Sequence, residues 1–206
     1  MKNVAENTVR RLSLYLRFLE EFQHEGASTV SSEALAARGG TTSAQVRKDL
    51  SFFGSFGKRG LGYSVPQLIK RLREILGLGR RYRVVVIGAG KIGSALVQYR
   101  GFDQRGFDII GIFDTDPQKI GKPWNGIAVR DASHLEKDLT QLKADIAVIV
   151  TPGDQAQAVT DRVVKSGITA ILNFAPIQLA VPANVTVKTV NLVLELEALS
   201  FALANR

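Results

Sequence analysis

The sequence predicts an α/β protein in two parts: a small, mostly helical N-terminal domain with a two-stranded wing, then a larger doubly wound parallel sheet. Three observations predict it. Helical apolar spacing fills the first quarter of the chain and leads into a basic, glycine-rich stretch. Beyond residue 81, short apolar runs alternate with helical segments, which argues for a parallel sheet covered on both faces. The first of those runs opens directly into Gly88-Ala89-Gly90-Lys91-Ile92-Gly93. A length of 206 residues suits this pair of small domains, with no room for a full-sized catalytic domain besides.

In chain order, Leu12, Leu16 and Leu19, widened by Tyr15, Phe18 and Phe22, make one helical stripe over residues 7–25, which Gly26 ends. Ser31-Ser32 offers an N-cap to a short helix through Leu35 and Arg38, closed by Gly39-Gly40. Thr42 to Gln45 has capping-box spacing and starts a third helix, Ser43 to about Phe53. Gly54, Gly57, Gly60 and Gly62 then mark a hairpin, and Pro66 suits the first turn of a helix to Leu76. This is the element order of a winged helix-turn-helix, assigned to residues 1–79.

The second part reads as a strand at 83–87, a glycine loop and a helix at 92–99, then a strand at 108–113. A helix at 132–142, a strand at 145–150, a helix at 154–166 and strands at 168–173 and 185–190 complete a Rossmann-type domain over residues 80–190. Residues 191–206 form a separate terminal helix. Leu192, Val193, Leu194, Leu196, Leu199, Phe201 and Leu203 make it apolar on nearly every face, so it needs burial on several sides.

Composition narrows the chemistry. With no cysteine, disulfides, thiolate metal sites, iron–sulfur clusters and thiol redox sensing are excluded, so any redox response must come through a bound cofactor. No apolar run approaches the roughly 18 residues that span a membrane, and no signal-peptide core opens the chain, which predicts a soluble cytoplasmic protein. The net charge is +8; residues 1–80 hold 13 basic and 7 acidic side chains, and residues 81–206 hold 14 and 12. The positive excess therefore sits in the first part and points to an anionic partner, double-stranded DNA. A simple solubility charge is the alternative.

The glycine loop has the context a dinucleotide fingerprint requires: a strand before it, a helix after it, and Asp114 ending the second strand 21 positions beyond Gly93. Gly88 permits the turn, Gly90 lets backbone approach a pyrophosphate, and Gly93 lets helix pack on strand. The helix start at Ala89, Lys91 and Ile92 presents N–H groups to phosphate. Asp114 fits two ribose hydroxyls and repels a 2′-phosphate, which favours NADH and NAD+ over the phosphorylated cofactor, although Lys119 and Lys122 lie close in sequence. Thr151-Pro152 and Asn173-Phe174-Ala175-Pro176 follow two further strands and sit at the same sheet edge, as candidate contacts for the nicotinamide half or as ordinary strand-end turns.

His134 reads as a surface residue, and no acid–base set accompanies the loop, so the cofactor is predicted to be a signal rather than a reagent: not an enzyme. No metal site is predicted. On the third helix, Ser43, Gln45, Arg47, Lys48, Ser51 and Phe53 are candidate DNA contacts in a major groove. Lys58 and Arg59 place two cations on the wing. A solvated helix face is the plainer reading of Arg47-Lys48 taken alone. Two rival functions remain: a small NAD-dependent oxidoreductase with an accessory basic domain, and a regulatory module for coenzyme A or another nucleotide.

The combination resembles Rex, the bacterial redox-sensing transcriptional repressors. Tyr15-Leu16-Arg17, Gln45-Val46-Arg47-Lys48-Asp49-Leu50-Ser51, the Gly57–Tyr63 wing, the glycine loop, Phe113-Asp114-Thr115-Asp116-Pro117 and Ile171-Leu172-Asn173-Phe174-Ala175-Pro176 carry the resemblance. It implies a homodimer whose terminal helices are domain-swapped, binding an inverted-repeat operator that is released by NADH and retained with NAD+. It also implies a switch among Arg17, Tyr99 and residue 191. Here the sequence departs from the family, with Asn191 where an aspartate is usual. The resemblance then implies weakened or altered coupling between cofactor and DNA.

Overall fold

The computed structural model describes residues 4–58 and 61–205. The chain divides into two compact units, Met1–Arg80 and Arg81–Arg206. In the first, α1 (Glu6–His24) buries Leu12, Tyr15, Leu16 and Leu19, the stripe set by sequence spacing. A short strand β1 (Thr29–Val30) follows, then α2 (Ser32–Gly39). The Ser31 hydroxyl accepts from Ala34 N at 3.1 Å, and Gly40, in the left-handed region at φ 58°, ends the helix.

Thr42 caps α3 (Ser43–Ser51) by accepting from Gln45 N at 3.1 Å. The capping box is half made: the Gln45 side chain turns to Asp49 Oδ1 (2.8 Å) instead of reaching back. Strands β2 (Gly57–Lys58) and β3 (Gly62–Ser64) form the wing, and α4 (Val65–Ile75) starts with Pro66 in its first turn. The wing gains a third strand that the sequence reading lacks. β1 pairs antiparallel with β3, Val30 opposite Tyr63, in the order β1-β3-β2. Gly62 is required there: at φ 73°, an added Cβ would stand 2.5 Å from Val30 O. Leu35, Val46, Leu50, Leu68 and Leu72 join the α1 stripe in one core.

The second unit runs β4 (Tyr82–Ile87), α5 (Lys91–Gln98), α6 (Gly101–Gln104), β5 (Phe107–Asp114), β6 (Pro123–Trp124) and β7 (Ile127–Asp131). After a 3₁₀ turn at Ala132–His134 come α7 (Leu135–Leu142), β8 (Ile146–Ile149), α8 (Gly153–Lys165), β9 (Ala170–Asn173), β10 (Thr186–Thr189) and α9 (Leu192–Ala204). Among the described residues the sheet order is β10-β9-β8-β4-β5-β7-β6, with only β6 antiparallel to its neighbour. Without β6, this is the two-halved order of dinucleotide-binding folds, reversing between β4 and β8.

Both faces of β4 are buried. Val85 and Ile87 pack with Phe113, Leu135, Leu139, Ala156 and Val163, beneath α7 and α8. Val84 and Val86 pack with Val97, Ile112 and Val148, beneath α5. Residues 115–131, to which the sequence reading assigns no element, hold the β6–β7 hairpin, and its β7 runs parallel to β5 as a further strand of the sheet. One expectation needs correction. The helix expected over 132–142 is broken at its start, where Asp131 Oδ1 accepts from Ser133 N (2.8 Å) and holds a 3₁₀ turn. In α9, no side chain is buried: its apolar residues are 58–70% exposed, from Leu194 to Phe201. No described helix is long and apolar enough to cross a membrane.

Candidate functional site

At the reversal between β4 and β8, the loops after the two strands lie against each other. Gly88 N donates to Phe113 O (2.8 Å) and Val150 N to Ile87 O (2.9 Å). Gly88 has φ 111°, and a Cβ there would stand 2.8 Å from Val150 O. Gly93 sits so close to Gly88 O that no Cβ fits. Gly90 differs: a Cβ would meet nothing within 4 Å, so its small size serves no internal packing and leaves space in front of the loop. That space belongs to a cavity of about 550 Å3 along the sheet's carboxyl edge. Gly90 is the N-cap of α5 and Pro152 that of α8, and neither end has a side-chain cap. Their first-turn N–H groups remain suited to anionic ligand oxygens.

Asp114 closes the cavity on the β5 side. Oδ2 accepts from Ala89 N (2.6 Å) and Lys119 Nζ (3.3 Å), and Oδ1 accepts from Asp116 N (2.8 Å). Burial pushes its carboxyl up, but the Asp116 and Ala89 N–H groups and the Lys119 ammonium outweigh burial and hold it below the usual carboxylate range. It is therefore ionised at neutral pH, ties the glycine loop to β5, and keeps a free lone-pair direction on Oδ1 for a hydroxyl.

The structure brings Gly88, Gly90, Ile92, Asp114, Lys119, Thr151, Pro152, Phe174 and Pro176 to this one cavity. Thr151 Oγ1 is the one buried side-chain oxygen or nitrogen among the described residues with no hydrogen-bond partner, and it lies in this wall. Other predicted contacts fall elsewhere. Lys91 is exposed outside the lining. Ala89, Asn173 and Ala175 are buried behind it. Asn173 is fully buried because it holds its own loop, donating to Ala175 O (3.2 Å) and Ile177 O (3.0 Å) and accepting from Ala175 N (2.9 Å). Thr115, Asp116, Gln155 and Val159 line the cavity and were not legible as contacts. Gln155 lies in the first turn of α8, where the rule of strand-end ligands already points.

The open approach at Gly90, the two uncapped helix starts, the carboxylate at the end of β5 and the unpaired Thr151 hydroxyl together fit a dinucleotide diphosphate. In the first unit, Lys48 is exposed on α3, Ser43 is half-buried, and Ser51 Oγ donates to Lys48 O (2.9 Å). Arg47 is exposed and bonded to Ser32 and Glu33. Gln45 is held by Asp49 rather than free. Phe53 is half-buried and packs on the core, and its neighbour Phe52 is exposed, at 42%. Lys58 lies in β2 opposite Gly62, and Arg59 lies outside the described residues.

Of the proposed switch, Arg17 is exposed on α1. Tyr99 is exposed and stacks edge-on against Phe102 at 5.1 Å. Asn191 Oδ1 accepts from Val193 N (3.0 Å) and caps α9.

Comparison with known proteins agrees with this division. A family described as CoA binding domain matches residues 80–177, and one described as putative DNA-binding protein N-terminus matches residues 3–51. The redox-sensing transcriptional repressor Rex of Carboxydothermus hydrogenoformans is 48% identical over 198 residues, 96% of this chain and 95% of that protein. The Rex protein of Syntrophomonas wolfei is 47% identical over 98% of this chain and 96% of that protein. Among solved structures, RSP, a Rex-family repressor, superposes with a TM-score of 0.91 at 38% identity over 100% of this chain and 96% of that one. RSP in complex with NAD+ and operator DNA gives 0.95 at 38% identity, over 100% and 94%. With nearly half its residues shared along almost the full length of such proteins, this chain belongs to the Rex family of redox-sensing transcriptional repressors.

Proposed function

We propose that this chain is a repressor that holds an inverted-repeat operator as a homodimer and lets it go when NADH fills the cavity of the second unit. The observation that carries the reading is the joint presence of that dinucleotide cradle and a basic winged helix in a family of repressors rather than oxidoreductases. Gly88, Gly90 and the α5 start face the diphosphate, Asp114 takes the ribose hydroxyls, and Thr151, Phe174 and Pro176 stand toward the nicotinamide. Lys119 shares Asp114 Oδ2, so a ribose hydroxyl competes with an ammonium there. The bound cofactor supplies a redox-dependent charge: the nicotinamide ring is cationic in NAD+ and neutral in NADH.

Arg47, Lys48 and Ser51 of α3 face DNA. Homodimerisation through α9 explains a helix whose apolar side chains are exposed on every face. Gating requires NADH to bind the DNA-free form more tightly than the DNA-bound form, because equal affinity would move nothing.

Fluorescence anisotropy of a labelled inverted-repeat duplex, titrated separately with NADH and NAD+, tests this. NADH should release the duplex and NAD+ should not. Asp114→Ala should bind DNA as before yet need at least about ten-fold more NADH, having lost a charge-assisted bond. Tight DNA binding that ignores both cofactors would remove the sensor from the reading.

A further inference from the structure

Asp114, the carboxylate that should turn a 2′-phosphate away, does not stand alone at the end of β5. Lys119 Nζ lies 3.3 Å from Asp114 Oδ2 and 3.5 Å from Asp116 Oδ2, and all three residues line the cofactor cavity. The backbone brings them together. Asp116 N donates to Asp114 Oδ1 (2.8 Å), and Lys119 N donates to Asp116 O (2.9 Å), a turn that carries the lysine back to the two acids. Both ammonium distances exceed the roughly 2.7–2.9 Å of a tight charge-assisted bond, so the cation is shared between two carboxylates rather than locked to one. Its side chain is 36% exposed. An ammonium has three N–H donors, which leaves one to give. Lys122, the other cation of this loop, is exposed and lies outside the cavity lining.

We propose that Lys119 is a specificity-determining residue for the adenosine end of the cofactor: it limits the preference for NADH over NADPH by offering a cation to a 2′-phosphate beside the carboxylate that opposes it. The inference rests on reading this cavity as a dinucleotide site with Asp114 at the ribose. Dinucleotide-binding folds favour the unphosphorylated cofactor through an acid after the second strand, and accommodate the phosphorylated one through a nearby cation, usually arginine. Here both groups are present. Asp114, Asp116 and Lys119 together carry one negative charge, so the hydroxyl form stays preferred, but by less than two bare carboxylates would impose. Lys119 need not leave Asp114 to meet a phosphate, because its third donor is available. On the hydroxyl side it acts in the opposite sense, occupying a place on Asp114 Oδ2 that a ribose hydroxyl would take. Both effects narrow the preference for NADH.

NADH and NADPH carry the same fluorescent ring and the same diphosphate, so the ratio of their dissociation constants isolates the adenosine ribose. That ratio is measured by fluorescence titration of the wild-type chain, Lys119→Met and Lys122→Met. Lys119→Met should widen the preference for NADH about five-fold, the worth of a solvent-accessible ion pair. Lys122→Met removes the same charge from the same loop, outside the cavity, where salt screens it, and should leave the ratio within about two-fold of wild type. Equal weakening of both cofactors by Lys119→Met would make the lysine a support for the loop and overturn the proposal. An equal widening by Lys122→Met would reduce the effect to overall charge and overturn it as well. So would a wild-type chain that binds NADH and no NADPH. If NADH itself does not bind, the dinucleotide reading fails and takes the inference with it. NADH binding with a ratio that Lys119→Met leaves unchanged removes the inference alone.

Discussion

Asp49 is the residue on which α3 hangs. Buried in α3, it takes both Arg11 donors (Nε 2.6 Å, Nη2 2.7 Å), the Tyr15 hydroxyl (3.0 Å) and the Gln45 amide (2.8 Å). Burial pushes its pKa up, yet the bonds from Arg11, Gln45 and Tyr15 outweigh it and leave the carboxyl below its ordinary value. Tyr15 is pushed up to about 12, by burial first and then by its bond to Asp49. The folded state thus binds the Asp49 proton more weakly than the unfolded chain does. The resulting stability is fully present above the unfolded pKa, about 3.9, and is lost as pH falls through the lower folded value. Asp49→Asn should cost about 2 kcal/mol at neutral pH. That is below the figure for a fully buried pair, because the Arg11 side chain is 29% exposed and can rehydrate. The variant should also lose less stability than the wild type as pH falls below about 4. Hydrogen exchange of α3 amides reads both effects. The single tryptophan, Trp124, lies in the second unit and serves as the control. Equal pH dependence in the two proteins would mean that Asp49 is not the titrating anchor.

The unit of β4, its loop and α5 makes a claim that two glycines separate. Gly93 touches Gly88 O, which is backbone and cannot rotate away, so Gly93→Ala should overpack the turn and cost about 1–3 kcal/mol. Gly90 has ordinary extended torsions (φ −93°, ψ −169°) and open space at its Cβ, so Gly90→Ala should leave stability within about 0.5 kcal/mol of wild type. Its methyl group would instead occupy the approach to the diphosphate. NADH fluorescence titration beside thermal melting should show Gly90→Ala weakened in binding alone, and Gly93→Ala weakened in both. A melting loss at Gly90 as large as at Gly93 would place its role in packing. This loop was legible in the sequence because every part of its signal is local: an apolar strand, three glycines at fixed spacing and an acid after the next strand. The β6–β7 hairpin was missed because β7 buries only Val129, too thin an apolar pattern to count as a strand. Its clue was Asn125-Gly126, both at positive φ (48° and 81°), the dipeptide of a tight hairpin. The internal partners of Gln45 and Asn173 were not legible for a different reason. Each has a partner, Asp49 and the 175–177 backbone, that spacing alone does not favour over a ligand.

At the scale of the whole molecule, the proposed function assigns cofactor and DNA to different units: the cavity lining runs from Ile87 to Pro176, and the proposed recognition helix from Ser43 to Ser51. No single side chain serves both, so the coupling must travel through an element that responds to the cofactor state, and α9 with its start at Asn191 is the proposed carrier. Asn191 accepts from Val193 N and is not needed as an amide for that purpose, because aspartate caps a helix as well as asparagine does. A negative charge at the start of α9 also suits the helix dipole. Asn191→Asp should therefore leave the assembly and melting temperature as they are, and change only the charge that the family resemblance pairs with Arg17 and Tyr99. With a charge-assisted bond restored in one state, worth on the order of 1 kcal/mol, the ratio of operator affinities without and with NADH should grow about five-fold. Anisotropy at fixed NADH, with sedimentation to confirm an unchanged assembly, reads that ratio directly. Equal ratios for asparagine and aspartate would take residue 191 out of the coupling path and leave the exposed apolar faces of α9 as the part that carries it.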